Sequence, residues 1–552
     1  MKKMRTILAL LLAMMMVLVL FAGCSDSGSK TPADTSSKTE EKAEEKKEET
    51  KEEVSNFIYD GDSPIASEPV TVTMICGAGG SAVNYDNIED MLWIQAIIDK
   101  SGLDMEVECL DSSSYGDNIR PRLAAAEDLP DIIQVPGLDT DLTYANSGIF
   151  YDLTDFFDEY AYNLKWRFET NPTVKGQATT PDGKMFYIPG INMSVDYCPA
   201  ILYNQFWLQK IGMDAPTTTD ELYEVLKAMK GVDFNGNGKD DEVPLFAQTG
   251  YLQCFGSSWG LDIQRGYWEN EDGIVEPSYI SERYLDYLQY FNKIYTEGLM
   301  VPDFASISAD MNNEMATNDQ FGFIMHYLNF CHSFSQKYYA GKGQDWDTSY
   351  GELAWVPLEA PPKGPFGHQL YNGNDPVFGF WAISAKSEVP EYAFAFCDYL
   401  YSEEANNFMY YGIYENGDYE IKDGKIYPDL AKRSKDDYST RMGNNFGGFP
   451  RILLAAHRDV SYNYTIGEYN EILNDYYRLP VPAAFALPKE VDTVSAYAAD
   501  LSTYWGENYV AFITGTRPLS EFDDYCETLK SMHYEDMVAV KQAALDRVKG
   551  KN

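Results

Sequence analysis

Between Asp233 and Pro244 the chain reads D-F-N-G-N-G-K-D-D-E-V-P, a spacing suited to a hard cation. Asp233, Asn235 and Asn237 stand at alternate positions, so a tight turn directs their side-chain oxygens inward. Gly238 supplies the sharp bend before the backbone carbonyl of Lys239, and Asp241 and Glu242 add carboxylates on the far side. The pattern follows the first half of an EF-hand calcium loop. It departs where the twelfth position is Pro244 instead of Glu, so Asp241 and Glu242 must close the shell. The expected cofactor is calcium in a structural role, because no open ligand position or adjacent base is evident. The alternative is an Asx-rich turn that binds nothing.

The elements around this loop read as alternating strands and helices. Val70–Ile75 is a buried strand running into Gly77-Ala78-Gly79-Gly80. Asn87 to Lys100 carries Met91, Ile94 and Ile98 at helical spacing, with Gly102 as its stop, and Met105–Leu110 is a second strand. Strand, helix, strand at this spacing predicts a βαβ unit and hence a parallel sheet. The glycine loop lacks the Lys-Ser/Thr of a P-loop and is better read as a ligand-facing loop at a strand end. Further on, Ile132–Val135, Met185–Pro189, Leu202–Asn204 and Phe378–Ser384 read as strands. Thr218 followed by Glu221 marks a capping box, so a helix leads into the cation loop. Tyr284–Glu297, Pro390–Ser402, Ala511–Gly515 and Tyr534–Val548 read as helices, and Asn416-Gly417-Asp418 with Asp423-Gly424 marks a small hairpin insert.

The N-terminus reads as an export signal. Lys2, Lys3 and Arg5 precede an apolar run from Ile7 to Ala22. That run is shorter than the ~20 residues a membrane-spanning helix needs. It ends at Phe21-Ala22-Gly23-Cys24, a lipobox-like site at which Cys24 would be acylated. Ser25 to about Ser55 is Ser, Thr, Lys and Glu with almost no apolar residue, too polar to offset its ordering entropy. The expected division is a leader over 1–23 and a tether over 24–56. The net charge of −43 argues against nucleic acid as a partner, since phosphates need a positive surface. Eight cysteines are scattered with no C-x-x-C. Setting Cys24 aside leaves an odd number, expected as buried thiols and not as a disulfide framework. The five histidines are dispersed, without H-E-x-x-H.

Taken together these stretches resemble the bacterial extracellular solute-binding proteins of ABC importers, family 1, and most closely its branch with a calcium loop and alginate-oligosaccharide-type binders. The similarity is carried by Leu129-Pro130-Asp131-Ile132-Ile133, with Glu127 where Gly is usual, and by Asp182-Gly183-Lys184 through Ile188-Pro189. It continues in Leu202-Tyr203-Asn204, Trp207, Gly212, Pro216-Thr217 and Asp220-Glu221 ahead of the calcium loop, and in Ile383-Ser384, Pro390-Glu391 and Phe512-Ile513-Thr514-Gly515. The resemblance implies an α/β fold of two periplasmic-binding-protein-like lobes, joined by crossing hinge strands, with the ligand cleft between them. It implies lobe 1 over 57–200 and 373–440, lobe 2 with the calcium loop over 201–372, and a C-terminal helical region over 441–552 packing on both. The calcium ligands implied are Asp233, Asn235, Asn237, Lys239 through its backbone, Asp241 and Glu242.

Sugars offer an apolar face and a ring of hydroxyls, which aromatic planes and amides or carboxylates recognise. Substrate candidates are therefore aromatics on loops beside polar residues. Asp196 and Tyr197 precede the first crossing strand, and Tyr251 and Trp259 flank a Gly- and Ser-rich loop. His326 and Tyr327 follow the strand Phe321–Met325, and Tyr371, Asn372 and Asn374 precede the second crossing strand. For each alone, burial in a core is the default role. The expected function is capture of an oligosaccharide by lobe closure and delivery to an ABC permease. The chain would be a monomer held at the extracellular face of the cell membrane by lipid on Cys24, and no enzyme. The rivals are a secreted glycoside hydrolase with an aromatic-lined acidic cleft, and a binder of peptides or other solutes.

Overall fold

The computed structural model describes residues 56–551 apart from 79–87, 89–90, 138–141, 194–197, 308, 348–350, 423–424, 434–446 and 455–463. The expected leader, the lipidation site Cys24, the tether up to residue 55, Gly79-Gly80 and the candidates Asp196 and Tyr197 lie outside the described residues.

The βαβ unit is present. Thr71–Ala78 and Asp104–Asp111 pair in parallel register across the helix Leu92–Ser101. That helix stops at Gly102, whose φ of 72° is the left-handed conformation a side chain disfavours. These strands form one edge of a six-stranded sheet. Its order is Ile452–Leu454, Ile188–Met193, Val377–Ile383, Ile132–Gln134, Thr71–Ala78, Asp104–Asp111. Val377–Ile383, which arrives from late in the chain, runs antiparallel to both neighbours. A second sheet has the order Trp355–Pro357, Pro199–Asn204, Phe321–Tyr327, Val243–Phe246.

Each sheet carries its own hydrophobic core. Val72, Ile75, Ile132, Ile188, Trp381 and Phe394 belong to the first. Leu202, Trp207, Leu245, Phe291 and Phe323 belong to the second. C-terminal residues Tyr509, Phe512, Leu529 and Leu545 join the second core, whereas Phe449, Ile452 and Phe485 join the first. This is the two-lobe α/β architecture that the sequence implied. Ile188–Met193 lies in the first sheet and Pro199–Asn204 in the second, and the chain returns from Tyr371 in the second core to Val377 in the first. It crosses once more where Val481 sits in the second core and Phe485 in the first. Two of these passages are laced together, because Tyr371–Asn372 pairs in parallel with Tyr477–Arg478.

Local chemistry accounts for the ends of the helices near the site. Thr218 caps Thr219–Met229, its hydroxyl accepting from the Glu221 N–H at 3.1 Å. The second arm of the expected capping box lands one residue earlier, with Glu221 Oε2 accepting from the Thr217 N–H at 2.8 Å. The helix expected over Ala511–Gly515 is instead the last turn and C-cap of the 27-residue helix Pro488–Thr514. Tyr534–Val548 is a helix over the predicted span. Tyr419–Lys422 and Lys425–Pro428 form the hairpin insert. The seven described cysteines are free thiols, and all but Cys109 are buried. The parallel register places Cys76 directly beside Cys109, an adjacency that their spacing in sequence conceals.

Candidate functional site

The loop 233–242 is wound around its own first carboxylate. Asp233 Oδ1 accepts from the N–H groups of Gly236 at 2.6 Å and Asn237 at 3.1 Å, and Oδ2 accepts from Gly238 at 3.0 Å. The Gly238 N–H is the largest influence holding the Asp233 carboxyl below the usual range. Asn235 Oδ1 accepts from the Asn237 N–H at 3.0 Å, and Asn237 Oδ1 from the Lys239 N–H at 2.7 Å. Gly236 and Gly238 take φ of 76° and 73°, so the winding depends on glycine at both positions. On the far side Glu242 Oε1 accepts from the N–H groups of Phe234 and Asn235 at 2.8 and 3.2 Å. Asn237 Nδ2 donates to both oxygens of Asp241 at 3.2 and 3.1 Å.

No trio of His, Cys, Asp or Glu converges among the described residues. The loop instead holds the carboxylates of Asp233, Asp241 and Glu242 and the amide oxygens of Asn235 and Asn237 on one turn. An all-oxygen set of this kind fits calcium and not a soft metal. The loop is pinned to the second lobe through Phe234, which stacks on Trp207 with ring centroids 3.8 Å apart and planes 3° apart. Asn235 Nδ2 adds a bond to the Asn318 carbonyl at 3.1 Å.

Three of the sequence-predicted sugar contacts meet. The Tyr251 ring lies over His326 at 4.5 Å and edge-on to Tyr327 at 5.9 Å. Tyr251 and Tyr327 are half-buried, while His326 is 3% exposed, its ring 3.6 Å from that of Phe330 and its Nδ1 accepting from the Tyr327 N–H. Asn372 and Asn374 lie on a passage between the lobes. Asn372 Oδ1 accepts from Arg478 at 2.6 Å, and its amide donates to the Leu261 carbonyl at 2.9 Å. The Asn374 N–H donates to Cys198 Sγ at 3.3 Å. Trp259 and Tyr371 are each 1% exposed. The Trp259 indole donates to Asp286 at 2.7 Å, and the Tyr371 hydroxyl accepts from the Ile201 N–H at 3.2 Å. Both rings are packed within the second core.

Burial pushes His326 down to about 3, from an ordinary value of 6.5. Between these values the unfolded chain binds the proton that the folded one refuses. The stabilisation is therefore full above pH 6.5 and is lost as the pH falls towards 3. At most this site contributes about 1.4 kcal/mol per pH unit over that window. In thermal melts His326→Gln should show a shallower loss of Tm on acidification from pH 6.5 to 4.5 than the unaltered protein does. Parallel slopes would contradict this assignment.

A cavity of about 460 Å³ opens where residues of both lobes face each other. Pro136 and Tyr144 line it from the first lobe, Arg265 and Tyr267 from the second, Asp375 from a passage, and Lys541 from the last helix. Burial alone would lower Arg265, but the Asp262 carboxylate at 2.8 Å holds the guanidinium up. Burial lowers the Lys541 ammonium, with Glu490 offsetting part of the effect. Burial would raise Glu490, yet Arg547, bonded to both its oxygens at 2.7 Å, holds it below the usual range. The sequence reading missed Arg265, Tyr267, Glu490 and Lys541. They stand in no motif, and only the packing of the last helices brings Lys541 to Tyr267.

Residues 85–407 match the family described as bacterial extracellular solute-binding protein, and the chain belongs to that family. Among curated relatives, the fructooligosaccharide ABC transporter substrate-binding protein FusA of Streptococcus pneumoniae serotype 4 is 24% identical over 447 residues, 76% of this chain and 80% of FusA. Lipoprotein LipO of Bacillus subtilis is 26% identical over 359 residues, 62% of this chain and 66% of LipO. The structure of FusA in complex with kestose superposes with a TM-score of 0.68 at 19% identity, covering 88% of this chain and all of FusA (100%). The alginate-binding protein AlgQ2, solved without calcium ion, gives a TM-score of 0.66 at 20% identity over 88% of this chain and 99% of its own. At these identities the structures speak for the fold.

Proposed function

We propose that this protein is the capture component of an ABC importer. It takes an oligosaccharide into the cleft between its lobes, closes over it by a hinge motion and delivers it to a membrane permease. The observation that carries the reading is the pairing of an interlobe cavity with half-buried aromatic faces at Tyr251 and Tyr327, on a chain whose two cores are joined by several passages. FusA's description as a fructooligosaccharide binder supports the saccharide class. In this reading the lobes divide at about residues 200 and 372, and Asp196, Tyr197, Asn372 and Asn374 are among the sugar contacts. Calcium at 233–242 braces the second lobe, and lipid on Cys24 tethers a monomer outside the cell. LipO's description as a lipoprotein supports that anchorage.

Bond cleavage is the rival. A glycoside hydrolase needs two available carboxyl groups about 5–9.5 Å apart. The acids lining the cavity are engaged elsewhere: Glu490 by Arg547, and Asp375 by Gln177 Nε2 at 2.6 Å and by the N–H groups of Val377 and Ala483 at 3.0 Å. This favours binding without chemistry.

The test is a thermal-shift and calorimetric screen over neutral and acidic oligosaccharides, with reducing-end release measured in parallel. One saccharide class should raise Tm and remain intact. For the tightest ligand, Tyr251→Ala should weaken binding by about tenfold, the value of one lost stacking partner plus its buried area. Silence across the panel from folded protein, or cleavage of the sugars, would overturn the reading.

A further inference from the structure

We infer that Cys76 and Cys109 form a redox site, which a low-molecular-weight disulfide oxidises to an intramolecular bond that staples the edge strand of the first sheet to its neighbour. The two residues are register partners in the parallel strands Thr71–Ala78 and Asp104–Asp111. Neighbouring strands run about 4.8 Å apart, and a disulfide accepts Cα separations of about 4.4–6.8 Å, so the bond asks for no backbone movement. Register partners project to the same face of a sheet, and this face packs on the first core, with Val72 beside Met105 and Met74 beside Val107. The Cys76 thiol donates to the Cys109 sulfur, so the two side chains already meet. The strand end is held independently of them, because the Gly77 N–H donates to Gln134 Oε1 at 2.7 Å.

The surroundings of the two thiols divide the work between them. Asp104–Asp111 is an edge strand, and Cys109 on it is half-buried, whereas Cys76 is wholly enclosed. The bond from Cys76 holds the Cys109 thiol below its ordinary value, while burial pushes Cys76 well up. Cys109 is therefore the attacking thiolate and Cys76 the resolving thiol. Cys109 Sγ attacks one sulfur of the small disulfide, whose S–S bond breaks; a mixed disulfide forms and one thiolate leaves. Cys76 then gives its proton to that thiolate, and its sulfur attacks Cys109 Sγ. The bond to the small partner breaks, and the second thiolate leaves and takes a proton from water. The protein dithiol has lost two electrons and two protons, and the small disulfide has become two thiols. Burial pushes the thiols of Cys254, Cys331, Cys397 and Cys526 up, the last to about 11, which makes them poor competitors.

The test incubates the full chain with excess oxidised glutathione, alkylates the remaining thiols and maps the peptides by mass spectrometry. A Cys76–Cys109 disulfide should form, and dithiothreitol should reverse it. The oxidised protein should melt about 5 °C higher than the reduced one, because the bond closes a loop that contains the helix Leu92–Ser101. Cys76→Ser lacks the resolving thiol and should retain glutathione on Cys109. Cys109→Ser should leave Cys76 unmodified. If the unaltered protein keeps both thiols, or pairs either with another cysteine, the site is overturned. Glutathione on neither residue in Cys76→Ser overturns the assigned roles, and an oxidised protein that melts no higher than the reduced one overturns the staple. None of these outcomes depends on whether a saccharide binds.

Discussion

If calcium occupies the loop 233–242 as proposed, treatment with a calcium chelator should lower the melting temperature by about 5–10 °C, and adding calcium should restore it. The size follows from linkage. An ion at a hundredfold excess over its Kd adds about 2.7 kcal/mol to the folded state. For a cooperative unit the size of one lobe, each kcal/mol is worth about 2–4 °C. The direction follows from the loop. Asp233, Asp241 and Glu242 crowd three carboxylates onto one exposed turn, and the N–H groups that gather around Asp233 pre-shape it without removing the repulsion. The effect should reach beyond the turn, because Phe234 transmits the loop's position to Trp207 in the core of the second lobe. Asp233→Ala should melt lower than the unaltered protein and show no response to calcium. Glu242→Gln preserves the bonds to Phe234 and Asn235 in shape while weakening the ion's shell, and should retain a reduced response. A chelator-treated protein whose melt does not move would mean that 233–242 is a self-satisfied Asx turn.

What was legible in the sequence was what local chemistry dictates. The alternation of Asp233, Asn235 and Asn237 fixes a turn regardless of what surrounds it. Thr218 caps a helix because its hydroxyl needs only the N–H three residues on. The βαβ unit follows from two apolar runs flanking a helical one. The less legible part is where burial decides. Trp259 and Tyr371 sit next to glycine and asparagine, which suggests open loops, yet each is enclosed by aromatics contributed from distant segments. Long-range register is hidden for the same reason. Nothing near Cys76 announces that Cys109 lies beside it, and nothing near Arg265 announces Lys541. The helix Pro488–Thr514 opens with Lys489, Glu490 and Asp492, a polar stretch without a strong apolar stripe. Its stability comes from packing Leu501, Tyr509 and Phe512 into the second lobe.

The second large effect is expected at Asp319, just before the strand Phe321–Tyr327 that leads to the aromatic cluster. Asp319 is 6% exposed and takes a left-handed φ of 54°. Its Oδ1 accepts from the Trp207 indole at 2.8 Å and from Asn204 Nδ2 at 3.0 Å, and its Oδ2 accepts from the Lys342 ammonium at 3.0 Å. One carboxylate thus joins the strand Pro199–Asn204, the helix that follows it, and the end of the helix Phe330–Gly341. Asp319→Ala removes the acceptor from an indole, an amide and an ammonium at once, and replaces a residue that tolerates positive φ. Leaving the buried indole and the buried Asn204 amide without an acceptor costs about 1–3 kcal/mol each, and the exposed Lys342 adds at most about 1 kcal/mol. Asp319→Asn keeps an oxygen and the backbone preference, so its cost should be about 1–3 kcal/mol, that of one charged hydrogen bond. Urea denaturation of the three proteins measures both differences. The indole that Asp319 orients is the one on which Phe234 stacks, so Asp319→Ala should also shrink the calcium-dependent shift in Tm. If Asp319→Ala lies within about 1 kcal/mol of the unaltered protein, Asp319 does not organise the second lobe. If Asp319→Ala responds to calcium undiminished, the cation loop is decoupled from the strand that carries His326 and Tyr327.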